Sequence, residues 1–180
     1  VWSPAEGGKT ESWTILQTEE DACLYLGLPG KPTHDTIQKH LQENTLVDAM
    51  HRIVPHTNET YFLPAGTVHA MGKGVMALEV QQTSDATFRL FDWGRVDGAG
   101  TPRQLHLEAG LACVHHHDNA GLQQPHKEAT SATEVLVDTP FFSLRRSTTQ
   151  HIIEQPCVVI PWMGNAYIPA ADSIIAPGHA

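Results

Sequence analysis

With 180 residues, the chain has room for about one to one and a half domains and can bury a hydrophobic core without disulfides. Apolar residues make up 41% of it and charged residues 17%, a composition that excludes a disordered protein. The 11 basic and 20 acidic residues give a net charge of −9, which argues against a nucleic-acid or anionic-membrane surface but not against a local basic pocket.

The cysteine spacing favours a reducing compartment, and the hydropathy of the chain gives no sign of a membrane-spanning segment. Cys23, Cys113 and Cys157 are far apart and form no CxxC pair, which argues against a disulfide framework and against a thiolate zinc site. No apolar run approaches the roughly eighteen residues of a membrane-spanning helix, and no signal-peptide pattern is visible. We therefore expect a cytoplasmic protein that has no membrane partner.

The first ninety or so residues are predicted to form short strands with a helical interlude. Strand-length runs occupy residues 13–17, 22–26, 60–63, 67–70, 75–80 and 87–91. Thr33 or Asp35 can cap the N-terminus of a helix that ends near Asn44, and the apolar residues between 47 and 53 predict a second short helix. Closely spaced strands with glycine turns favour a β-sandwich or jelly roll over βαβ units.

The second half of the chain is predicted to form a closing helix, a linker and then further short strands. Residues 105–114 are expected to form a closing helix, and the polar, Gly- and Pro-containing stretch 119–131 is the predicted linker. Further strands are expected at residues 134–137, 141–145, 157–160 and 166–168. The chain thus divides into a first domain, 1–118, and a short second β domain, 132–180.

Two short strings are candidates for chemistry. In residues 64–70, a proline-glycine turn delivers His69 to the start of a strand, and a histidine with a glutamate from another strand is a common zinc ligand pair. Taken alone, a single histidine at a strand start is more often a structural hydrogen-bonding group. The Gly8-Lys9-Thr10 string is not a P-loop, because Ser3 stands where the motif needs its first glycine.

Three strings resemble type I mannose-6-phosphate isomerases, a family of zinc-dependent cupins. They are Gly8-Lys9-Thr10-Glu11, the PAGTVHA string at 64–70, and residues 79–95, which run from EVQQTSD to RLFDWGR. They occur in family order, and the resemblance spans residues 7–115. It implies a mainly β fold: a cupin-type jelly roll with a short helical insert at about 33–53 and a partial second cupin-like domain at 132–180.

The resemblance also implies a site. Glu11 and His69 match two of the family's zinc ligands, so one Zn²⁺ per chain is expected, although N and O ligands also accept other divalent ions. Arg89 and Lys9 match catalytic positions, and Arg95 falls near a position expected to bind the substrate phosphate. Desolvation beside zinc is expected to lower the pKa of Lys9 and make it a proton carrier.

The implied activity is a zinc-dependent interconversion of mannose 6-phosphate and fructose 6-phosphate through a cis-enediol(ate), with a sugar phosphate as the partner. The proton-transferring base and the oligomeric state stay open. The family's Gln-x-His-Pro ligand string is missing from residues 1–8. Since the chain begins at Val1, we expect a preceding stretch in the natural protein; the alternative is a degenerate, non-catalytic cupin that binds a sugar or sugar phosphate.

Four other features receive structural interpretations. His106 is expected to make a structural hydrogen bond, and the run 115–117 to be an exposed helix end. Glu79 is expected to be a strand residue, with a carboxylate near the site as the alternative, and Trp13 and Trp93 are expected to belong to the core or to a pocket wall.

Overall fold

The computed structural model describes residues 7–116, 133–148 and 156–161, together with the backbone of two short strands, 166–168 and 173–175. Its strands are β1 (Glu11–Thr18), β2 (Leu24–Leu26), β3 (Arg52–Ile53), β4 (Thr60–Leu63), β5 (His69–Met71), β6 (Val75–Gln81), β7 (Thr133–Asp138), β8 (Ser143–Ser147), β9 (Ala166–Ile168) and β10 (Ser173–Ile175). Its helices are α1 (His34–Gln42) and α2 (Leu107–Cys113). The prediction of a mainly β chain with a short helical insert is confirmed.

Two antiparallel three-stranded sheets form the body of the first domain. One has the order β4-β1-β6 and the other the order β3-β2-β5. A single core cluster joins them, with side chains from β1, β2 and β4: Trp13, Ile15, Leu24, Leu26, Tyr61 and Leu63. The apolar faces of the two sheets therefore pack against each other, as in a jelly roll, and strands of different sheets are brought within contact distance.

The helices close one side of this body. Thr33 caps α1, because its Oγ1 accepts a hydrogen bond from the Thr36 backbone N at 3.3 Å. Asn44 lies just beyond the helix in the left-handed conformation, with φ of 56°, as expected for a helix-ending asparagine. Ile37 of α1 is buried in a second apolar cluster with Leu46, Leu90 and Val114. The predicted helices at 33–44 and 105–114 are therefore both present.

Three predicted elements are wrong. Residues 46–49 form turns, with Ala49 N bonded to Thr45 O at 3.2 Å, and Ile53 belongs to β3. Residues 87–91 make no strand: they pair with none of the strands that the structure describes, and the backbone of Arg89 bonds to His106 instead. Residues 157–160 are also without regular structure. An apolar, β-rich or periodic run therefore does not by itself decide whether a segment forms a strand or a helix.

The second predicted domain is described only in part. β7 and β8 form an antiparallel hairpin, and β9 pairs with β10. Arg146 of the hairpin pairs with Glu134 at 2.6 Å and also donates to the Asn58 carbonyl at 3.5 Å, which ties the hairpin to the first domain. The predicted linker, 119–131, lies outside the described residues. Within the part of the chain that the structure describes, neither helix is long and apolar enough to cross a membrane.

Candidate active site

Glu11 and His69 meet although they lie on strands of different sheets. Glu11 is on β1, His69 is on β5, and Oε1 of the carboxylate is 2.6 Å from Nε2 of the imidazole. His69 Nδ1 donates to the Thr67 carbonyl oxygen at 2.8 Å, and because that oxygen only accepts, Nδ1 carries a proton. Nε2 is thereby directed at Glu11, which is how a metal-binding histidine is usually held.

Lys9 adds a positive charge to this pair. Its Nζ lies 2.9 Å from Glu11 Oε2 and 3.6 Å from Glu79 Oε1. Glu79 is itself oriented, since the indole N–H of Trp13 donates to its other oxygen at 2.9 Å. Glu79, for which a place near the site was the less favoured expectation, therefore contacts the site through Lys9. The signal lay in the strand pairing, because Trp13 faces Glu79 directly across the β1–β6 ladder.

These contacts set the charges of the site. Burial favours a higher pKa for Glu11, but the hydrogen bonds and positive charges of His69 and Lys9 hold that pKa below its ordinary value. Burial likewise opposes the charge on Lys9, yet Glu11 and Glu79 together raise its pKa. The lowered pKa expected for Lys9 concerned a lysine beside bound zinc, whereas the two carboxylates that face it in the structure act in the opposite direction. Lys9 is an ammonium group held between two carboxylates.

Glu11 and His69 have the chemistry of two zinc ligands. Glu11 is 1% exposed, and the ammonium group of Lys9 lies 2.9 Å from its Oε2. A buried carboxylate and an imidazole nitrogen are both donors that zinc accepts. Within residues 7–116, 133–148 and 156–161, no group of three or more His, Cys, Asp or Glu side chains could hold a metal. The two residues thus fit a metal as part of a larger ligand set.

All five residues picked from the sequence line one cavity of about 550 Å³: Lys9, Glu11, His69, Arg89 and Arg95. Arg89 is half-buried, and its guanidinium donates to the Gln104 carbonyl at 3.1 Å. His106 fixes the backbone of Arg89, because its Nδ1 accepts from Arg89 N at 3.2 Å and its own N donates to Arg89 O at 2.8 Å. The structural role predicted for His106 is confirmed.

Two further polar groups on the cavity wall were missed. Arg103 lines the cavity and makes two hydrogen bonds to the buried Asp92, one of them from Nε at 2.7 Å. That pairing, helped by the charges of Arg95 and Arg89, holds the pKa of Asp92 below its ordinary value. His115 follows α2 and is exposed as predicted, but it also lines the cavity, where its N donates to Gly66 O at 2.9 Å.

Comparisons with known proteins agree on one group of relatives, although no family model matches the chain. The chain is 32% identical over 141 residues to mannose-6-phosphate isomerase ManA of Bacillus subtilis, and 33% identical over 147 residues to mannose-6-phosphate isomerase of Streptococcus mutans. Each match covers 77% of this chain and 44% of the relative. The chain thus spans less than half the length of these curated relatives.

A solved structure gives the same result for the fold. The crystal structure of the mannose 6-phosphate isomerase from Bacillus subtilis matches with a TM-score of 0.67 and 29% identity, over 77% of this chain and 44% of that one. The predicted cupin-type β fold is confirmed by this likeness.

Proposed function

This chain belongs to the mannose-6-phosphate isomerase family, and from that premise we propose that the protein interconverts mannose 6-phosphate and fructose 6-phosphate with a bound zinc ion. One observation carries the proposal. Two strands of different sheets bring Glu11 and His69 within 2.6 Å, in the cavity that Lys9 and Arg89 also line. A purely structural cupin gives no reason for these four side chains to share one cavity.

Zinc would be held by Glu11 and His69 together with ligands outside this pair. When bound, a divalent metal polarises a sugar oxygen and so lowers the cost of negative charge on the substrate. Glu11 supplies a carboxylate that remains ionised, because His69 and Lys9 hold its pKa low. His69 supplies Nε2, since its other nitrogen is committed to the Thr67 carbonyl.

Lys9 and Arg89 stabilise the charge that develops during isomerisation. The reaction moves a proton between C1 and C2 of the sugar, and negative charge appears on the C1 and C2 oxygens. A guanidinium keeps its charge at any working pH, so Arg89 can hold those oxygens throughout. Lys9 donates hydrogen bonds from a protonated Nζ, which Glu11 and Glu79 keep charged. His106 acts through Arg89 by fixing its backbone.

The substrate phosphate is proposed to bind at the arginine-rich part of the same cavity. Arg95 and Arg103 both line it, and the only acidic side chain paired with them in the described residues is Asp92. Two guanidinium groups and one carboxylate leave a net positive charge there, which favours a phosphate dianion despite the net charge of −9 on the whole chain.

Two measurements on the purified protein test this proposal. Bound zinc is determined by elemental analysis, and fructose 6-phosphate formation from mannose 6-phosphate is followed in a coupled assay. We expect metal and activity together. Hexose-phosphate binding without metal or turnover would instead support the non-catalytic cupin, and absence of all three would contradict both functions.

The role of Arg89 is tested separately. Arg89→Ala should reduce turnover by about a hundredfold or more, because it removes an interaction made in the transition state, and should leave zinc content unchanged. Arg145→Ala is the control, since Arg145 is exposed on β8 and does not line the cavity. Equal loss of zinc and turnover in Arg89→Ala would contradict the role given to this side chain.

A further inference from the structure

Trp93 is held in a backbone conformation that tryptophan rarely adopts. Its φ is +52°, and Gly94 follows with φ of +63°. The other non-glycine residues with positive φ in the described part of the chain are Asp21, Lys31, Asn44 and Asn58. Three of those four are Asp or Asn, which tolerate the left-handed region, whereas a bulky aromatic residue there is strained. Strain of this kind persists where a particular side chain is needed at a particular place.

The indole is fixed by its neighbours, but it is not buried. Its ring centroid is 5.4 Å from that of Phe91 and 6.3 Å from that of Tyr25, and the Arg95 guanidinium carbon lies 5.0 Å from it. Even so, Trp93 is 42% exposed, whereas Trp13 in the core is 4% exposed. Trp93 also lines the cavity that contains Glu11 and His69. Core packing therefore does not account for a strained tryptophan at this position.

We propose that Trp93 is a specificity-determining wall on which the sugar ring of a hexose phosphate stacks, with the neighbouring Arg95 contacting the phosphate. The inference rests on the proposed function and adds how the site distinguishes a ring from a short chain. One face of a sugar ring consists largely of C–H groups, and a rigid indole offers apolar area to that face at little entropic cost. Binding pockets commonly combine such an apolar wall with a few charged groups.

The test compares two ligands that share a phosphate ester. Mannose 6-phosphate has a ring, whereas glycerol 3-phosphate has none. Trp93→Asn removes the indole while keeping a residue that adopts positive φ readily, so the turn should be retained. By calorimetric titration, we expect Trp93→Asn to bind mannose 6-phosphate about tenfold more weakly than the wild type and glycerol 3-phosphate within about twofold. Arg95→Gln should weaken both ligands similarly.

Two further variants complete the design. Trp93→Phe keeps an aromatic face and should retain mannose 6-phosphate binding within about threefold. Phe141→Ala, which removes an exposed aromatic ring from the turn between β7 and β8, should change neither affinity.

Four results would overturn the proposal. Unchanged binding of mannose 6-phosphate by Trp93→Asn, or equal losses in the Phe and Asn variants, would exclude stacking. Equal losses of both ligands in Trp93→Asn would mean that the indole only positions Arg95. If the wild type bound no hexose phosphate, the proposed function would fail along with the inference, and this outcome is recognised before any variant is made.

Discussion

Glu11 and His69 approach within 2.6 Å from strands that belong to different sheets. Neither sheet contains the pair by itself, so the packing of one sheet on the other creates the contact. The same packing buries Trp13, whose ring contacts His69 edge to face at 5.2 Å. The packing that buries the core therefore also brings the two residues of the proposed metal site together.

Zinc binding should depend on both members of this pair. Glu11→Gln and His69→Ala should each reduce zinc affinity by at least about tenfold, because each removes a ligand. Zinc per chain after dialysis, measured by elemental analysis, checks this expectation. His56→Ala is the matched control, since the His56 side chain is 74% exposed and does not line the cavity. Zinc retention by both ligand variants would place the metal elsewhere.

Glu79 should affect turnover through Lys9. In Glu79→Gln the amide oxygen still accepts from the Trp13 indole, but the negative charge facing Lys9 at 3.6 Å is lost. We expect kcat to fall about tenfold while zinc content is unchanged, because Lys9 loses one of its two anchors. Glu43→Gln, at the exposed end of α1, serves as the control. A proportionate loss of zinc would show that Glu79 supports the ligands and not Lys9.

Gly66 should tolerate no side chain. Its φ is +88°, and an added Cβ would lie 2.5 Å from the Cys113 carbonyl oxygen and 2.6 Å from His115 Cδ2. Gly66→Ala should therefore reduce the free energy of unfolding by about 2–3 kcal/mol. Gly98→Ala is the matched control, because nothing lies within 4 Å of its added Cβ. Urea unfolding of both variants measures the difference, and equal midpoints would contradict the close approach of the 64–70 turn to the end of α2.

The Asp92–Arg103 pair should make stability depend on pH in the acid range. The hydrogen bond from Arg103 lowers the pKa of Asp92 below its ordinary value of 3.8, so the folded state favours the ionised carboxylate. The resulting stabilisation is fully present above that value and is lost as the pH falls through the lower pKa of the folded protein. Arg103 keeps its charge throughout this range.

Asp92→Asn tests this pH dependence of stability, because the amide cannot ionise. Its melting temperature should lie below that of the wild type near neutral pH, and the difference should shrink as the pH falls below about 4. Differential scanning calorimetry at several pH values measures it. A constant difference from neutral to acid pH would mean that Asp92 stabilises the loop without being ionised.

The prediction of strands succeeded for segments that meet a partner strand in the fold and failed for segments that meet other groups. The β-rich runs 13–17 and 75–80 predicted strands, and the strands that contain them pair directly although they lie far apart in the chain. Residues 87–91 have the same β-rich composition, but the backbone of Arg89 bonds to His106. No local pattern reports which partner a segment will meet, since pairing depends on residues far away in the chain.

By itself, the sequence determined the fold class and the residues of the proposed site, because short strings such as KTE and PAGTVHA are specific and hold their order along the chain. Only the tertiary structure decided which carboxylates face Lys9 and which carboxylate pairs with Arg103. It also decided that Trp93 has a positive φ and an exposed ring. The reason is physical: a pKa, an ion pair and the exposure of a ring depend on neighbours brought from other strands and loops, and those distances exist only after the sheets have packed.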